Sequence, residues 1–294
     1  MKIETAYELF IGNRAMNGIT QGTLDQYTYT VKPMVKSLGS NIDMADAIAD
    51  IQTYVTGLRT KVCKNGKTLS QGSVASHLKN IKAFMKFCRE ENFVEKFRMP
   101  PISWPKTEIK PLSQTQIRQI LQSFDQKNFR GLRNYTLFRL LYDCGLRKNE
   151  ARSLELEHID MEGRFLFVHG KGGKNAWVPI SSVMIAVLEK YLQARKMIQT
   201  DSEALFVTGA GEPITLSAIS SMFTRLKKTF KFPGVRLSAH TLRHSFALAY
   251  IENGGDPFSL QSILRHSSQE MTAKYVHMAK GNLKAAHDRF APTL

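Results

Sequence analysis

SAHTLRHSFA, residues 238–247, sets His240, Arg243 and His244 at i, i+3 and i+4, on one face of a helix. Two readings compete for this stretch. Histidines four apart hold zinc when the residues between them supply a glutamate. Here the neighbour is Arg243, a cation where a metal ion least tolerates one, so metal ligation is set aside and no metal is expected. What remains is a helical face that offers a guanidinium fork beside an imidazole. A guanidinium binds phosphate oxygens bidentately and stays charged at any relevant pH, and an imidazole exchanges protons near neutrality.

Three further stretches carry residues of the same chemistry. CGLRKNE (144–150) places Arg147 just past a glycine that ends a helix, with Glu150 three residues on. RFLFVH (164–169) and AWVPI (176–180) read as two strands joined by the glycine-rich loop 170–175, which carries Lys171. That loop resembles a phosphate-binding loop but fails its pattern. Val168 stands where the first glycine belongs and Asn175 where Ser or Thr belongs, so no ATP and no other cofactor is expected. LRHSSQEMTAKYVHM (264–278) places His266 nine residues before Tyr275. Taken singly, each residue has a plain structural explanation: a helix-capping arginine, a solvated hairpin lysine, a tyrosine packed on an amphipathic helix. Taken together they suit phosphoryl transfer, in which two arginines hold the non-bridging oxygens, a tyrosine attacks phosphorus, a histidine accepts its proton and a lysine protonates the departing alkoxide.

In this order and spacing the segments resemble the tyrosine recombinases of the phage-integrase and Xer type, over nearly the whole chain and most closely from about 134 to 278. The resemblance implies that Arg147 and Arg243 bind the scissile phosphate. Tyr275 would be the nucleophile that forms a 3′-phosphotyrosyl link, Lys171 the general acid, His240 an acid or base, and His266 a hydrogen-bond partner of a phosphate oxygen. Glu150 would support Arg147. It also implies double-stranded DNA with a specific site as partner, and four protomers, identical or of two kinds, on two sites. A last helix over about 282–290 would dock on a neighbour or on its own domain. Arg265 departs from the pattern, because the family usually has glycine before the histidine. It either contacts DNA or points outward. With no arm-binding domain ahead of the core-binding segment, a simple Xer-like enzyme is expected. A DNA-binding protein that lost cutting, and a type IB topoisomerase, are the alternatives.

The bulk properties agree. Among 294 residues, 41 Lys and Arg oppose 25 Asp and Glu, a formal charge of +16. That surplus favours a polyanion, nucleic acid ahead of an acidic membrane surface. No apolar run spans a bilayer and the N-terminus lacks a signal peptide, so a cytoplasmic, nucleoid-associated protein is expected. Cys63, Cys88 and Cys144 are odd in number and lack metal-binding spacing, so they read as reduced thiols. Pro100, Pro101, Pro105 and Pro111 mark a linker. The expected fold is mainly α, a C-shaped DNA clamp. It comprises a helical core-type DNA-binding domain (1–99), a linker (100–112) and an α+β catalytic domain with a small antiparallel sheet (113–294). Helices are expected over 23–38, 73–91, 114–124, 134–144, 215–230, 239–253, 257–264 and 269–278, with a third strand over 205–208. Within 73–91, Val74, Leu78, Ile81, Met85 and Cys88 form one apolar stripe. Lys79, Lys82, Lys86 and Arg89 form a basic stripe beside it, either a solvated face or a DNA-backbone contact.

Overall fold

The computed structural model describes residues 1–63, 66–95, 110–170, 173, 175–266, 268–279, 287–288 and 291. The chain divides into two compact units, Met1–Thr107 and Glu108–Leu294. The expected linker falls largely outside the described residues, as do Lys171 and all but two positions of the expected last helix.

The first unit holds helices α1 (Ile3–Met16), α2 (Gln21–Thr30), α3 (Lys32–Leu38), α4 (Ala47–Gly57) and α5 (Gln71–Glu90). Ser70 caps α5, its hydroxyl accepting from the Ser73 N–H at 3.1 Å. The whole expected apolar stripe of α5 is buried, while Lys79, Lys82, Lys86 and Arg89 are exposed. Lys86 makes a 3.4 Å surface ion pair with Glu90. Around α5 the core is aromatic: Phe10 meets Phe84 at 5.5 Å between ring centres and Phe87 at 5.6 Å. The single helix expected over 23–38 is two helices. They part at Val31, because Pro33 cannot donate to the carbonyl four residues back and its ring crowds that carbonyl.

The second unit begins with α6 (Gln114–Gln122), where Ser113 and Gln116 form a reciprocal capping box. It continues with α7 (Phe129–Asp143), α8 (Lys148–Arg152), strands β1 (Ile159–Asp160), β2 (Phe165–Val168) and β3 (Ala176–Pro179), then α9 (Ser182–Arg195) and α10 (Leu216–Thr229). The last described elements are α11 (Ala239–Glu252), α12 (Pro257–Leu264) and α13 (Gln269–Met278). The sheet is antiparallel in the order β1-β2-β3. Phe167 pairs with Trp177 and Leu166 with Val178, so Leu166, Val168 and Val178 face the core. The third strand is therefore β1 and not the expected 205–208. That segment makes only isolated bridges, Glu155 with Ala204 and Val207 with Pro213, and Pro213 lacks the N–H that would extend a ladder.

Helix α7 is the keel of this unit. It packs against α9 and α11 and buries Leu137, Phe138, Leu140 and Leu141 completely. A separate apolar cluster joins α11, α12 and α13 through Ala247, Ile251, Leu260, Leu264 and Tyr275.

Phe84→Ala empties the aromatic core of the first unit. Urea unfolding of the full chain is expected to show a loss of about 3–5 kcal/mol in that unit, with amide exchange in α6 to α13 unchanged.

Candidate active site

Ser238 caps α11, accepting from the Thr241 N–H at 3.1 Å. The first turns then present His240, Arg243 and His244. Arg243 is 4% exposed. Its guanidinium donates to the Gly145 carbonyl at 2.7 Å and to the Leu264 carbonyl. Gly145 lies just past the end of α7, and Leu264 is the last residue of α12. These carbonyls belong to helix C-termini, which lack partners within their helices and carry partial negative charge. One cation thus fastens two helix ends. Burial, and then the neighbouring Arg147, lower the Arg243 pKa to about 10, so it stays charged at neutral pH.

Gly145 has to be glycine for two reasons. Its φ is +58°, and an added Cβ would lie 2.6 Å from a Phe246 ring carbon and 2.7 Å from a Leu264 methyl.

Arg147 precedes α8, where its own N–H donates to Glu150 at 2.7 Å and its guanidinium pairs with Glu150 at 2.8 Å. Arg265 donates to the other side of the same contact, 2.5 Å from Glu150 Oε2. Glu150 is 5% exposed. Burial alone would raise its pKa, but Arg265 and then Arg147 outweigh that and hold it below the usual value. The Arg265 side chain is itself 5% exposed. This corrects one expected placement: the Arg265 side chain does not point outward. Its backbone explains the family's glycine, since φ is 53° and ψ is 47°, the left-handed region.

Tyr275 is 4% exposed. Its hydroxyl lies 2.5 Å from His244 Nδ1, and His244 Nε2 lies 2.9 Å from His240 Nε2. Burial pushes the phenol pKa up, and Arg243 acts against that. The His266 ring lies nearly parallel to that of Tyr275, 6.3 Å apart with 14° between the planes. Its Nδ1 is paired with the Thr272 hydroxyl at 2.8 Å. Burial first and Arg243 second lower His266 to a pKa of about 4. Burial first and His240 second do the same for His244, also to about 4. His240 is lowered by burial, Arg243 and Arg147.

Arg147, Arg243, His240, His266 and Tyr275 are therefore brought into one charged neighbourhood, with Glu150 beneath them. Lys171 lies outside the described residues. Lys79, Lys82, Lys86 and Arg89 form an exposed row on α5 of the first unit. The residue that sequence reasoning missed is His244, set aside there as half of a metal pair. The signal was its i+4 spacing from His240. Among the described residues, the His, Cys, Asp and Glu group whose ligand atoms converge is Glu155, Glu157 and His158, which includes neither histidine of α11.

Residues 110–282 match the phage integrase family. The chain belongs to that family. This integrase-family chain is 31% identical over 243 residues to the tyrosine recombinase XerD of Staphylococcus aureus, a match spanning 77% of this chain and 80% of that protein. It is 34% identical over 237 residues to the tyrosine recombinase XerC 2 of Ralstonia nicotianae, spanning 78% of this chain and 67% of the other. Its fold is shared with the Tn1549 transposon integrase solved in complex with transposon right end DNA. That match has a TM-score of 0.74 at 19% identity and covers 99% of this chain and 100% of that one. A lambda integrase dimer bound to a COC′ core site also has a TM-score of 0.74, at 18% identity, covering 92% and 97%. As a family member, this chain is a tyrosine-type DNA strand transferase, a site-specific recombinase.

Two outcomes follow from the geometry. At position 265 glycine should outperform alanine, reversing their usual helical order. Both Arg265→Gly and Arg265→Ala lose the Glu150 contact, but only alanine keeps the left-handed strain, so it should be the less stable by about 1 kcal/mol in urea unfolding. The depressed histidines set a pH dependence. The folded state keeps His244 and His266 neutral down to about 4, whereas the unfolded chain binds protons below about 6.5. The unfolded state therefore holds more protons between those values, and stability is full above about 6.5 and falls as the pH drops towards 4. Thermal unfolding of His266→Gln across that window should show a shallower decline than the parent; an equal slope would show that His266 contributes nothing to it.

Proposed function

We propose that this recombinase cuts one DNA strand by attack of the Tyr275 hydroxyl on a phosphodiester, and that Arg147 and Arg243 hold the non-bridging oxygens. The observation that carries this reading is a buried tyrosine hydroxyl hydrogen-bonded to a neutral histidine, within the field of Arg243. Attack forms a phosphorus–oxygen bond to Tyr275 and breaks the bond to the 5′ oxygen, leaving a 3′-phosphotyrosyl link. The phenol proton leaves to a histidine, and Lys171 supplies one to the departing 5′ oxygen. A partner strand's 5′-hydroxyl then attacks the phosphotyrosine, and Tyr275 recovers its proton.

Each step exchanges one phosphodiester for another, so no nucleotide has to be hydrolysed. The two guanidinium groups offset the negative charge of the phosphoryl oxygens that a metal ion would otherwise neutralise, an effect of several kcal/mol in such sites. His266 hydrogen-bonds a phosphate oxygen once DNA displaces its present pairing, and His240 moves protons. Glu150 holds the Arg147 backbone and guanidinium together, so it is a positioning residue. We assign the first unit to core-type DNA binding, with the basic row on α5 against the backbone. Four protomers on two sites allow exchange between partners, in the cytoplasm where chromosomal or mobile DNA is accessible.

Sequencing DNA covalently trapped on the protein in cells recovers its site. On a duplex carrying that site, the parent should form a protein–DNA adduct stable to denaturing electrophoresis, with EDTA present and ATP absent. Tyr275→Phe should form none while binding the duplex with nearly unchanged affinity. An adduct in that variant would overturn the nucleophile assignment, and strict metal dependence would overturn the metal-free mechanism. Lys79→Ala with Lys82→Ala should weaken binding and reduce its salt dependence by up to about two counterions; unchanged affinity would return α5 to a solvated face.

A further inference from the structure

Family resemblance leaves open which group takes the proton from the nucleophile, and it gives His244 no part. We propose that His244 is that acceptor, and that it works as the middle member of a relay from Tyr275 through His244 to His240; the proposal rests on Tyr275 being the nucleophile.

The geometry admits few arrangements of hydrogen. The Tyr275 oxygen and His244 Nδ1 are 2.5 Å apart, with the rings 5.5 Å apart and tilted by 48°. His244 Nε2 and His240 Nε2 are 2.9 Å apart, with the rings edge-on at 84°. Each contact holds one hydrogen, since two bare nitrogens at 2.9 Å repel and two N–H groups collide. In the neutral arrangement that the relay requires, the phenol donates to His244 Nδ1, and His244 donates through Nε2–H to His240 Nε2. His240 then carries its hydrogen on Nδ1. When the phenol oxygen bonds to phosphorus, its proton passes to His244 Nδ1 and the Nε2 proton of His244 passes to His240. The charge comes to rest on His240, while His244 ends neutral with its tautomer reversed. In that reversed state His244 Nδ1–H points at Tyr275, ready to return the proton when the phenolate is expelled in rejoining.

The surroundings favour this direction of transfer. His240 is exposed and His244 is half-buried, so the positive charge moves towards solvent. Arg243 and Lys274 act on His244, and Arg243, Arg147 and Arg236 act on His240. These cations keep both imidazoles neutral and able to accept before the reaction starts. Arg243 also favours the phenolate, which burial disfavours. The other histidine beside the nucleophile, His266, stacks on the ring and directs its Nδ1 to Thr272. The i, i+4 spacing that mimicked a zinc pair in the sequence is the spacing that brings two imidazoles edge-on, nitrogen to nitrogen, along α11.

The free protein offers a test that needs no DNA. With ¹⁵N-histidine and ¹³Cζ-tyrosine labels at neutral pH, His244 should be an Nε2–H tautomer with bare Nδ1. The Tyr275 signal, assigned by its loss in Tyr275→Phe, should shift in His244→Phe. An Nδ1–H tautomer of His244, or a Tyr275 signal unmoved by the substitution, would overturn the relay whether or not any variant is active.

The second test uses a nicked duplex carrying the recovered site, made with either oxygen or sulfur at the bridging 5′ position. A thiolate leaves without being protonated, so sulfur relieves the need for a general acid but not for a base. His244→Gln should slow adduct formation by about 10²-fold or more on both duplexes, and imidazole added to His244→Ala should restore part of the rate. Lys171→Ala should be slow with oxygen and recover with sulfur. Parental rates in His244→Gln, or recovery of that variant with sulfur, would overturn the role of His244. An adduct formed by Tyr275→Phe would instead overturn the nucleophile assignment beneath it.

Discussion

The buried guanidinium of Arg243 is the constraint on which the second unit depends. A cation at 4% exposure is stable only when its donors are met, and both partners here are carbonyls at helix ends, Gly145 beyond α7 and Leu264 closing α12. Charge-assisted hydrogen bonds of this kind contribute about 1.5–3 kcal/mol each. Their larger effect is geometric. They join the helix that forms the keel, the helix that carries Arg243 and the helix that leads into the His266 turn. The framework role therefore falls on the side chain that we propose also binds substrate, and glycine at 145 keeps the approach open, because any side chain there would strike Phe246 and Leu264.

Glu150 extends the same logic to a second arginine. Left alone, a carboxylate this deeply buried would have a raised pKa. Held by the Arg147 N–H, the Arg147 guanidinium and Arg265, it is ionised and can fix Arg147 in place. Arg265 occupies a left-handed turn where glycine is easier, and the ion pair to Glu150 offsets that strain. The turn is held here by a side-chain contact across 115 residues of sequence.

Much of this was legible in the sequence, for identifiable reasons. The capping box at Ser113 and the apolar stripe of α5 are local patterns, and both stand in the structure. The hairpin from Phe165 to Pro179 follows from alternation around a glycine-rich loop. What failed depended on single backbone groups or on distant partners. Pro33 divides a periodic apolar run into two helices, and Pro213 prevents a ladder beside Val207. α1 and α4 were not singled out, although Ile3, Ala6, Tyr7 and Phe10 are spaced for a helical face. The burial of Arg265 could not be read from its neighbours, since its partner Glu150 lies far away in the chain. His244 was legible as half of a pair, but with metal ligation set aside it was left without a role, because its hydrogen-bond partner, Tyr275, approaches from another helix.

The electrostatics of the site explain why these histidines suit a tyrosine nucleophile. Arg147, Arg243 and Arg265 cluster around one carboxylate, so the region keeps an excess of positive charge before DNA arrives. Burial first, then His240 and Arg243 for His244 and Arg243 and Arg147 for His266, lower these imidazoles to pKa values of about 4. At neutral pH they are acceptors. A phosphodiester entering this field brings negative charge, which raises the proton affinity of the same imidazoles just when the tyrosine must lose its proton. The cations thus keep the base free until substrate binds, and the substrate then strengthens it. That coupling ties proton acceptance to DNA binding without a metal-bound hydroxide, and it needs the acceptor to be a neutral histidine held against the phenol.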